Sequence, residues 1–134
     1  MQASQTAYLD TSAFIAFLDR SDAHHPTFRR LFSSPPPLVT SALVVAEGHG
    51  WFLKQYDRYR AGQFLTFLDA LPRLAVQAFD SAELARTRQI LARFGYQNLT
   101  LADAHGLAVM ADRTIGVCWS TDRHMRLTGV ELAV

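Results

Sequence analysis

Five short apolar stretches, each separated from the next by segments of helical pattern, leave this chain few folds to choose from. Ala7-Tyr8-Leu9, Leu38-Val39-Thr40, 73–79, 115–121 and 130–134 read as strands. In 73–79, Leu74, Val76 and Ala78 alternate against their neighbours. Between these stretches, Phe14, Phe17 and Leu18 share one helical face, and 25–32 reads as a short helix with Pro26 near its start. Residues 41–56 look helical, although Gly48 and Gly50 weaken the pattern. Residues 59–72 space Phe64, Leu65, Leu68 and Leu71 as a helix that Pro72 ends. Asp80 and Glu83 form a capping-box pattern before a helix over 81–94 closed by Gly95, and 99–112 is helical again. Strands alternating with helices imply a parallel sheet covered by helices through right-handed crossovers. Ligands of such sheets bind outside the carboxyl ends of the strands, so residues that end strands are where chemistry is sought.

With 134 residues, the expectation is a single domain over 1–134. One cysteine, Cys118, excludes an internal disulfide framework and any Cys-rich zinc site. The N-terminus lacks a signal-peptide pattern and no apolar run reaches membrane-spanning length, so a cytoplasmic location is expected. The 13 basic residues are 12 Arg and Lys54. Arg suits planar recognition of phosphate or carboxylate, and a biased genome composition explains the same preference.

Four acids stand where core residues are expected. Asp10 ends the first strand with no basic residue nearer than Arg20, and Asp122 follows the strand at 115–121. Glu47 has Leu43, Val44 and Trp51 on its helical face, and Asp103 precedes Ala104, Leu107 and Ala108. Each has a plain structural reading. Asp10 caps a helix starting at Ser12, Thr100 and Asp103 form a capping box, and Asp122 pairs with Arg123 or Arg126. Glu47 is hardest to explain this way, because an unpaired ion on an apolar face is costly. Taken together at one sheet edge, four carboxylates repel unless a cation sits among them. Oxygen donors without Cys point to Mg²⁺ or Mn²⁺, and phosphodiester hydrolysis is the chemistry that needs such a cluster.

In the segments "YLDTSAF", "VTSALVVAEG", "LTLADAHGLAVMA" and "STDRHM", in that order, the chain resembles PIN domains, most closely VapC-type toxins of toxin–antitoxin pairs. The resemblance implies a three-layer α/β/α sandwich around a parallel sheet of about five strands. It also implies a Mg²⁺- or Mn²⁺-dependent endoribonuclease. Asp10, Glu47 and Asp103 match the family's acidic triad and Asp122 its frequent fourth acid. Ser120 matches a hydroxyl that orients a carboxylate or a metal-bound water. Thr11 and Ser12 match the small polar residues after the first acid, and with Arg123 and His124 they are candidate substrate contacts. Met125 stands where an aromatic is usual, and Trp119 is a bulky neighbour of the fourth acid; both bear on the shape of the cleft. A homodimer and a VapB-like antitoxin, which brings an Arg to the acids, are the implied partners.

Tyr56, Tyr59, Phe64 and Phe67 read as core or as a groove for a partner helix. The Arg pairs at 29–30, 58–60 and 86–88 read as solvated helix faces or as a basic RNA track. His24, His25, His49 and His105 show no metal-ligand spacing, and His105 points away from Asp103. A catalytically silent RNA-binding or assembly module remains the alternative to the nuclease. A phosphoacceptor domain fits poorly, because it wants adjacent acids after the first strand and a Lys near the last.

Overall fold

The computed structural model describes residues 5–134, so the first four residues of the expected domain lie outside the described residues. In chain order the elements are β1 (Ala7–Leu9), α1 (Thr11–Leu18), α2 (His25–Ser33), β2 (Leu38–Ser41), α3 (Ala42–Gln55) and α4 (Arg58–Ala70). There follow β3 (Leu74–Gln77), α5 (Ser81–Arg93), α6 (Leu101–Arg113), β4 (Val117–Trp119), a 3₁₀ turn (Arg123–Arg126) and β5 (Glu131–Leu132). The five strands form one sheet in the order β3-β2-β1-β4-β5, with every pairing parallel.

β1 lies at the centre, with Tyr8 in register with Val39 on one side and Cys118 on the other. Because side chains alternate across a strand, its three residues feed two separate cores. Ala7 and Leu9 join Phe14, Phe28, Phe32, Val44, Phe52, Phe64 and Trp119 beneath α1–α4. Tyr8 joins Val39, Ile90, Leu107, Met110, Cys118 and Met125 beneath α5 and α6. Burial on both faces explains why β1 reads as a continuous apolar run.

Two glycines record where helices press closest. A Cβ at Gly48 would lie 2.6 Å from Phe64 Cζ, so α3 and α4 need that position bare. The helix forms over 42–55 despite Gly48 and Gly50 because this packing outweighs a propensity cost of about 1 kcal/mol per glycine. A Cβ at Gly106 would lie 2.8 Å from both Tyr8 Oη and Met125 Cε, which lets α6 sit directly on β1.

Two expectations are corrected here. In β3 the alternation fails to give a buried face: β3 is an edge strand, where Leu74 packs against the core beneath α1–α4 while Val76, on the same face, is 48% exposed. Met125 and Trp119 are both buried, in the separate cores of the two sheet faces, so neither shapes a surface cleft.

Candidate active site

β1 ends at Leu9, where the Asp10 amide still donates to the Trp119 carbonyl at 3.2 Å, so the first acid emerges beside the end of β4. Asp10 occupies the N-cap position of α1, but its carboxylate makes no cap bond there. Oδ2 instead accepts from Ser120 Oγ at 2.8 Å and Ser12 Oγ at 3.1 Å. The two serines are themselves held by backbone amides, Asp122 N–H donating to Ser120 and Thr121 N–H to Ser12. This hydroxyl pair sews the start of α1 to the turn after β4 and fixes the carboxylate between them.

Asp10 is buried, and burial pushes its pKa up to about 6; the Asp103 charge adds to the rise, while the Ser120, Thr11 and Ser12 donors oppose it. The Tyr8 hydroxyl, buried without a hydrogen-bond partner, is pushed well above its ordinary range by burial and then by Asp10.

Asp103 is the third residue of α6 and closes a capping box: its amide donates to Thr100 Oγ1 at 3.0 Å, and its Oδ2 accepts from the Thr100 amide at 3.1 Å. The cap and a site role coexist, because a carboxylate has lone pairs to spare. One donor atom each from Asp103, Asp122 and His124 lie within 4.8 Å of one another. Asp122 pairs with neither Arg123 nor Arg126, and its Oδ1 accepts from the His124 amide at 3.0 Å and stands 3.1 Å from His124 Nδ1.

Glu47 is exposed, which corrects its expected apolar setting. The buried stripe of α3 runs through Val44, Gly48 and Phe52, and Glu47 stands on its margin, where water reaches it. Thr11 Oγ1 donates to Glu47 Oε1 at 2.5 Å, tying α1 to α3. The hydroxyls of Thr11 and Ser12 are thus engaged with acids, not presented to an incoming molecule. Among the described residues, no Lys or Arg forms an ion pair with any of the four acids.

Two arrangements had no reading in the sequence. His124 joins the acids because the 3₁₀ turn folds it back, a geometry that a two-residue spacing from Asp122 does not announce. Ser41, His105 and Glu83 form a hydrogen-bond relay, buried at Ser41 and His105, from residues up to 64 positions apart.

Parallel α/β sheets take their ligands at the carboxyl ends of the strands, the edge at which Asp10 stands. Residues 7–130 match the family model for the PIN domain, and the chain belongs to that family. Among solved structures it is similar to the Mycobacterium tuberculosis VapC20 toxin, which cleaves the sarcin–ricin loop. The two are 23% identical over 92% of this chain and 95% of that one, with a TM-score of 0.84. DNA-bound VapBC from Salmonella typhimurium is 21% identical, covering 96% of this chain and 97% of that one, with a TM-score of 0.65. VapBC2 from Rickettsia felis, bound to a fragment of its promoter, is 15% identical over the same shares, with a TM-score of 0.63. These likenesses are of fold. No curated protein sequence matches the chain.

Proposed function

We propose that the chain is a Mg²⁺- or Mn²⁺-dependent endoribonuclease, the toxin of a VapBC-type toxin–antitoxin pair. The observation that carries this reading is Asp10: a buried carboxylate, raised in pKa by burial and by a second acid, whose side-chain partners are hydroxyls. In this reading Asp10, Glu47, Asp103 and Asp122 hold the cation. The donor set suits a hard divalent ion, and the His124 nitrogen beside Asp122 tilts the preference from Mg²⁺ toward Mn²⁺. Such an ion lowers the pKa of water and neutralises charge on a phosphodiester.

The chain's own residues orient and guide. Ser120 and Ser12 oppose the rise in the Asp10 pKa and aim its carboxylate, and Thr11 aims that of Glu47. A cleft of about 520 Å³ beside Ser120, lined by His24, Thr121, Arg123 and Arg126, supports passage of an RNA backbone, since cations at that edge meet phosphates.

The partner belongs to the same proposal. A groove of about 1640 Å³ runs between α1, α2 and α4, lined by Phe17, Phe67, Tyr56 and Tyr59 together with Asp19, Arg29 and Arg58. Tyr59 is 72% exposed there, whereas Phe64, expected in the same stretch, is buried in the core. Aromatic side chains interleaved with arginines fit an amphipathic segment of an antitoxin. Two of the similar solved structures are VapBC assemblies. The toxin acts as a homodimer in this reading.

The test incubates purified protein and structured RNA with Mg²⁺, Mn²⁺ or a chelator. Cleavage is expected with either ion and lost on chelation. Metal-independent cleavage, or full activity of Asp10→Asn, overturns the mechanism. RNA binding without cleavage, indifferent to Asp10→Asn, returns the reading to a silent binding module.

A further inference from the structure

Ser41 is the last residue of β2 and caps α3, its Oγ accepting the Leu43 amide at 3.0 Å. The same oxygen lies 2.5 Å from His105 Nδ1 on α6, and both side chains are fully buried. On its other edge, His105 Nε2 lies 3.1 Å from Glu83 Oε1 at the start of α5, and Phe79 packs edge-on against the ring at 4.8 Å. Partner chemistry fixes the protons. Glu83 offers no hydrogen, so Nε2 carries the imidazole proton and donates it. Nδ1 is then an acceptor, and the Ser41 hydroxyl donates to it while accepting from Leu43. Each hydrogen bond of the relay then has one donor and one acceptor.

A serine, a histidine and an acid in this order resemble a nucleophile relay. Ser41 is wholly buried and its lone pair is committed to a helix cap, so no substrate atom reaches it. Its consequence lies in where the ends of the relay sit. Glu47 is six residues along α3 from Ser41, under two turns, and Asp103 is two residues before His105 on α6. Gly106, next in line, keeps α6 against β1, where Asp10 begins.

We infer that His105 is a positioning residue: the Ser41–His105–Glu83 relay fixes α3 against α6 and so sets the separation of Glu47 and Asp103, and with it the cation affinity of the acid cluster. The inference rests on the metal reading above. Groups behind metal ligands commonly change affinity by about 10–100-fold when removed, because a ligand displaced by a fraction of an ångström no longer meets the ion.

The experiment measures Mn²⁺ binding by calorimetry to the full chain and to His105→Leu, His105→Asn and Ser41→Ala, well below each variant's melting temperature. Lower global stability alone then leaves the affinity unchanged. His105→Leu is expected to bind about tenfold more weakly, on the scale of lost outer partners. His105→Asn offers Ser41 an acceptor at the Nδ1 position and is expected to recover most of that loss. Ser41→Ala weakens binding severalfold and carries the test should His105→Leu fail to fold. Wild-type affinity in any folded variant lacking the Ser41–His105 bond overturns the relay and leaves the metal reading intact. Equal loss in His105→Asn and His105→Leu also overturns it. A wild-type chain that binds no Mn²⁺ overturns the metal reading, and the positioning role falls with it.

Discussion

Two polar clusters share the same helices and meet opposite conditions. Ser41, His105 and Glu83 form a closed set, in which each donor finds an acceptor. Asp10, Asp103 and Asp122 form an open set, faced by hydroxyls, amides and one imidazole, with no Lys or Arg ion pair among the described residues. Both reach into the core, since His105 is fully buried and Asp10 nearly so. Burial therefore does not separate the two sets. The number of like charges does: the closed set holds one carboxylate and the open set gathers several, which repel one another until a cation arrives.

The sharpest way to break this comparison is to neutralise the open set. Asp10→Asn or Asp103→Asn is expected to lower RNA cleavage by roughly 1000-fold or more, the scale on which a single essential group acts. The same Asp10→Asn exchange should stabilise the metal-free fold by about 1–2 kcal/mol in urea denaturation, because a buried charge is removed and the serine donors still find an oxygen. Loss of stability in Asp10→Asn would mean that the open set is already balanced.

The closed set should respond with the opposite sign. His105→Ala removes a buried ring and orphans two partners, and is expected to cost about 2–4 kcal/mol in the same denaturation assay. A near-neutral result would show the relay to be dispensable.

Acid sharpens the contrast. The folded-state pKa of Asp10, about 6, lies above its unfolded value near 3.9, so folding favours the protonated form. The metal-free chain should gain stability as pH falls from 7 through 6 toward 4, by up to roughly 3 kcal/mol. Asp19 acts in the other direction, held low chiefly by the Ser21 hydroxyl, and its contribution is lost only below that window. Mn²⁺ affinity should fall over the same range, because Asp10 must lose its proton to bind. Thermal melts at pH 5 and 7, with and without Mn²⁺, check both signs.

The smallest expected effect is at the exposed acid. Thr11→Val removes one hydrogen bond to Glu47 and should weaken Mn²⁺ binding about fivefold, equivalent to ~1 kcal/mol, with little change in stability. A loss as large as that of Asp10→Asn would place Glu47 among the buried members of the cluster.

Much of this was written locally. The strands and helices fall close to where periodicity put them, the Thr100 capping box forms as its spacing predicts, and the Asp80 half of the box before α5 forms too. Those features depend on neighbours three or four residues away, which a sequence displays directly. The four acids were visible too, because acids in apolar surroundings stand out without any knowledge of their partners.

The order of elements and the supply of acids are written along the chain; the company those acids keep is set by folding. Val76 is exposed because its strand lies at the sheet edge, and Glu83 leaves its capping box unfinished to reach His105. Glu47 lies on the margin of the buried stripe of α3, and His124 is folded in beside Asp103 and Asp122. The physical reason is range: the bond that fixes Asp10 joins residues 110 positions apart, and chain periodicity carries no information across that distance.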